Sequence, residues 1–132
     1  MELTRDQQRE IWLISDRDLY CEAEQFLADH GAVDRSQAEG LLDNAQSFGE
    51  LQRFVRHQAG RDWTGRKEHY RDFYVSLDGF LKDLRRRVRD QYGLVPQGLP
   101  KEETKEQNDY FAELLAREFL QHLVAELMFQ RR

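Results

Sequence analysis

Histidine is the side chain best suited to acid–base or metal chemistry at neutral pH, and this chain carries four: His30, His57, His69 and His122. They are scattered, and no HExxH, ExxH or CxxC pattern occurs. Glu118, His122 and Glu126 do fall at i, i+4 and i+8, one helical face on which carboxylates and an imidazole could hold a metal. A full ligand set needs further groups from a second helix, so a polar strip on a helix surface is the plainer reading. The lone cysteine, Cys21, would need a histidine delivered by the fold to become a nucleophile. Nothing local prepares that, and a single thiol fits a reducing cytosol. Neither GxGxxG nor GxxxxGK[ST] is present, and no serine sits in a GxSxG elbow. No catalytic residue, metal or cofactor is expected. The reading leans away from an enzyme, although catalytic groups can converge from distant positions.

Charge is the stronger signal. The net charge of −5 hides a division. Residues 52–90 hold eleven Lys/Arg against six acids, and the rest of the chain holds nine against nineteen. On a helix spanning that segment, Lys67, Arg71, Lys82, Arg85, Arg86 and Arg89 fall on one flank of the apolar stripe. Such a cationic ridge could track phosphates or meet an acidic protein. Arg53, Arg56 and Arg61 lie just upstream, with Trp63 among them, and an indole in basic surroundings could stack on an unpaired base. Against this, the overall acidity opposes long-range attraction of nucleic acid, and acidic helices could pair with the ridge inside the fold.

The elements that must carry these residues are legible from their ends. Thr4 with Gln7, Ser36 with Glu39, Ser47 with Glu50 and Thr104 with Gln107 read as capping boxes, and Ser15 and Thr64 as further N-caps. Gly31 and Gly93 follow helical runs, where a left-handed residue ends a helix. Helices are expected over about 4–14, 16–30, 36–46, 48–60, 65–92 and 101–130, the first two also readable as one helix, with no strand. Tyr70, Phe73, Tyr74, Leu77, Phe80, Leu81, Leu84, Val88 and Tyr92 form one stripe within an arc of about 120°. In the last helix the apolar residues spread around most of the circumference. Such a helix is either central in its own domain or half-buried in a partner. Phe111, Leu115, Phe119, Leu120, Leu123 and Leu127 are therefore candidates for an oligomer seam.

A chain of 132 residues with eight Phe, five Tyr and two Trp can build a core without staples. The fold expected is a single all-α domain over 1–132. It is a helical bundle of five to six helices with one long central or C-terminal helical hairpin. The charged start lacks a signal-peptide pattern, and no apolar run approaches the roughly 20 residues that cross a bilayer. A cytoplasmic protein without membrane contact is expected.

The preferred function is a non-enzymatic interaction or assembly protein that uses the apolar last helix and the Arg-rich face. Its partner would be another protein or a second copy. The alternative is a nucleic-acid-binding accessory subunit. In size, helix content and basic ridge the chain loosely resembles the small helical subunits of RNA-guided CRISPR effector complexes. That resemblance rests on no specific motif, and it would imply an RNA-binding role.

Overall fold

The computed structural model describes residues 2–130, with the side chains of Arg66 and Gln130 excepted. Among the described residues the fold is all-helical, 79% helix with no strand, in five helices. The first is a continuous run made of α1 (Arg5–Ile14), a π turn (Ser15–Leu19) and α2 (Tyr20–His30). Then come α3 (Arg35–Asp43), α4 (Phe48–Ala59), a 3₁₀ turn (Gly65–Lys67), α5 (His69–Asp90) and α6 (Lys101–Gln130). No described helix is long and apolar enough to cross a membrane.

Local hydrogen bonding sets most boundaries. Thr4 Oγ1 accepts from the Gln7 N–H and Gln7 Oε1 accepts from the Thr4 N–H, each at 3.0 Å, a complete capping box. Ser47 Oγ accepts from the Glu50 N–H at 3.1 Å. Two expected caps are corrected. Asp34, not Ser36, caps α3 by accepting from the Gln37 N–H at 3.0 Å. Thr104 lies inside α6, where its hydroxyl donates to the Pro100 carbonyl at 3.0 Å. Ser15 caps nothing and instead opens the π turn, which the Tyr20 N–H closes on the Ser15 carbonyl. Gly31 leaves α2 at φ 78°, a left-handed conformation that a side chain would strain. Gly40 answers a different need. A Cβ there would lie 2.7 Å from Phe54 Cζ, so its bare backbone lets α3 and α4 close on each other.

One buried apolar cluster contains residues of every helix. α5 contributes Phe73, Tyr74, Leu77, Leu81, Leu84 and Val88 with no exposed surface, as its stripe requires. α6 is the central element, packed by α2, α3, α4, α5 and the π turn. This corrects the seam assigned to α6. Phe111, Leu115, Phe119, Leu120, Leu123 and Leu127 are at most 1% exposed within the one chain and have no surface for a second copy. Four other helices are enough to surround α6, because each covers a different part of its circumference.

Candidate interaction surfaces

The charges of α5 divide into a buried set and an exposed set. Arg87 sits on the apolar stripe, seven residues after Phe80, and is buried. Its guanidinium donates to both carboxylate oxygens of Glu22 at 2.9 Å, to Gln91 Oε1 at 3.1 Å and to the Tyr92 hydroxyl at 2.5 Å. The Tyr92 hydroxyl donates in turn to Asp18 Oδ2 at 2.8 Å. Burial, and then the bond to Asp18, push the Tyr92 hydroxyl up to about 12. This network fastens the end of α5 to the π turn and to α2.

The exposed cations are largely paired within the fold. Lys67 Nζ lies 3.3 Å from Asp34. Burial raises the Asp34 carboxyl, but the Gln37 N–H and then Lys67 outweigh that and hold it below its ordinary value. Asp78 meets Arg56 at 3.3 Å and Lys82 at 3.0 Å. Arg86 pairs with Asp83 at 2.7 Å. Arg71 donates to the Arg61 carbonyl at 3.4 Å. Arg89 reaches Asp90 only at 3.9 Å, and Arg53 is exposed with no carboxylate within 4 Å among the described residues. The stacking role expected of Trp63 is corrected. Its indole is buried, donates to the Gln58 carbonyl at 2.7 Å and packs on Tyr70 at 5.0 Å. Arg61 lies over the ring at 4.5 Å, so no face is open to a base.

Where the end of α5 meets the start of α6, the surface opens into a groove of about 800 Å³. Arg85 and Arg89 line it from α5, and Lys101, Lys105, Asn108 and Asp109 from α6. Arg85 lies over the Phe48 ring at 4.6 Å. Its Nε is 3.1 Å from Asp109 but is not aimed at it. Among the described residues, both that N–H and Asn108 Oδ1 are shielded from water with no hydrogen-bond partner.

A second surface runs along α6 on the side of the π turn. Trp12, Glu118 and Gln121 line one hollow, and Tyr20, Glu24, His122, Glu126 and Phe129 line the next. Trp12 is 56% exposed, Tyr20 47% and Phe129 67%. The extra residue in the π turn brings Trp12 and Tyr20, eight positions apart, onto the same strip of α6. Between them the Ser15 hydroxyl and His122 Nε2 are bonded at 2.8 Å. Ser15 is buried, so this pair ties the π turn to α6. Glu118, His122 and Glu126 share a face as expected, but no three His, Cys, Asp or Glu side chains converge as metal ligands among the described residues.

No protein-family model, curated protein or solved structure matches this chain.

The structure therefore adds two groups of residues to those the sequence suggests. Arg87 lies within the run Arg85-Arg86-Arg87 and so reads as surface charge, yet its spacing from Phe80, Leu84 and Val88 places it on the stripe. Lys101 and Lys105 begin a mixed-charge helix with no local mark of importance, and only the packing of α6 on α5 sets them beside Arg85 and Arg89. Trp12, Tyr20 and Phe129 each belong to an apolar helical pattern and are left uncovered by the way α1 and α2 lie on α6.

Proposed function

We propose that this chain is a non-enzymatic helical interaction protein whose docking face is the aromatic seam along α6. The observation that carries this reading is the exposure of Trp12 in one hollow along α6 and of Tyr20 and Phe129 in the next. Large aromatic residues are enriched at protein interfaces and among the residues that carry binding energy, and exposed apolar patches mark interaction sites. Glu24, Glu118 and Glu126 outnumber Arg117 among these rings, which favours a partner whose apolar patch is ringed by Lys and Arg. Two copies meeting seam to seam would set these acids against each other, so a different protein is the better fit. A cytoplasmic setting accords with the exposed thiol of Cys21, which a reducing compartment preserves.

The test is affinity purification from the native host with the wild type and with a Trp12→Ser, Phe129→Ser double variant, each checked by circular dichroism. A stoichiometric protein partner held by the wild type and lost by an equally helical variant is the expected result. Retention of the same partner by the variant would overturn the reading. Sedimentation of the purified chain tells a second copy from a different protein.

A further inference from the structure

The groove between the end of α5 and the start of α6 is separate from the aromatic seam, and its chemistry points elsewhere. Two cations stand on each wall, Arg85 and Arg89 on one and Lys101 and Lys105 on the other. Each pair is one helical turn apart, about 5–6 Å between Cβ atoms. Glu102 and Asp109 also line the groove, which leaves a net surplus of positive charge. Lys101 and Lys105 have no carboxylate within 4 Å among the described residues, and Arg89 has only a long contact to Asp90.

The cations do not stop at the groove. Arg71, Lys82, Arg85 and Arg89 fall on one strip of α5, spanning roughly 27 Å at about 1.5 Å per residue, and Asp78 on the same strip pairs with Lys82 and with Arg56. A line of charge suits an extended polyanion. Among the described residues no aromatic ring lines the groove. We propose that this groove holds the phosphodiester backbone of a nucleic-acid strand, bound through its phosphates with no reading of its bases.

The experiment is a fluorescence titration of labelled oligothymidylate and oligoadenylate at several salt concentrations, with the full chain. Saturable binding at ~50 mM salt is expected, equal for the two bases, and weakening as salt rises. Lys101→Gln with Lys105→Gln should weaken binding several-fold and flatten the salt slope by about 1.4, at about 0.7 per lost contact on a single strand. Arg5→Gln with Arg9→Gln makes the same charge change on α1 and should leave binding near the wild type. Trp12→Ser on the seam should also leave it unchanged, which keeps this test independent of the proposed protein partner. The proposal is overturned by an absence of saturable binding, by equal weakening in the α1 control, or by a groove variant that binds as the wild type does. Polyglutamate that competes as strongly as the oligonucleotide would also overturn it, in favour of an acidic protein.

Discussion

Arg87 and Arg89 stand two residues apart on α5 and serve opposite purposes. Arg87 points into the bundle, where Glu22, Gln91 and Tyr92 accept hydrogen bonds from its guanidinium. Arg89 points into water beside the groove, with Asp90 at the limit of an ion pair. The 200° between them on the helix separates a charge that holds the fold together from one left over for a ligand. A count of basic residues mixes the two kinds, and only their partners tell them apart.

The sharpest way to break this contrast is Arg87→Met, a change that preserves bulk and removes charge. Glu22, Gln91 and Tyr92 would then lose the guanidinium that they bond. Breaking a buried pair from one side costs about 3–5 kcal/mol, and Glu22, which is partly exposed, places the expected loss at the lower end of that range. Urea denaturation reads it. Stability within about 0.5 kcal/mol of the wild type would mean that the network is not needed to hold α5 on α2.

Tyr92→Phe trims the same network at its far end and should cost about 1–3 kcal/mol. Its pH dependence gives a second reading. Folding raises the hydroxyl from an ordinary 10.0 to about 12, so the folded state favours the neutral phenol. The resulting stability is complete below pH 10.0 and is lost as pH rises through about 12. Tyr74, raised chiefly by burial, adds to the same alkaline loss. Melts between neutral pH and pH 12 should therefore fall less steeply for Tyr92→Phe than for the wild type, and an unchanged slope would count against a buried phenol.

The smallest expected effect on stability belongs to Arg89→Gln, within about 0.5 kcal/mol in the same urea series. A larger loss would place Arg89 with Arg87 as a structural residue and would remove it from the groove's ligand set.

Much of the helix map is readable from the chain itself. The Thr4–Gln7 box, the Ser47 cap and the turn at Gly31 involve groups within three or four residues of each other, and the stripe of α5 follows from periodicity alone. Where two local choices compete, distant contacts decide. Both Asp34 and Ser36 can cap a helix, and Asp34 does so where its other oxygen meets Lys67 and its N–H donates to the Tyr70 hydroxyl. The candidate sites were less legible. Trp63 among basic residues looks like a stacking platform until Tyr70 and Tyr74 enclose it. The six apolar residues assigned to a seam on α6 look like an interface until α2, α3, α4 and α5 surround them.

What the amino-acid sequence by itself determined is the all-helical character, the approximate element ends and the concentration of cations in the middle of the chain. These rest on hydrogen bonds and side-chain spacings that close within one or two helical turns. Only helix packing sets which cations pair with Glu22, Asp34 and Asp78, which aromatic rings stay in water and where the groove opens. Those outcomes join residues tens of positions apart, and their distances exist only once helices have packed.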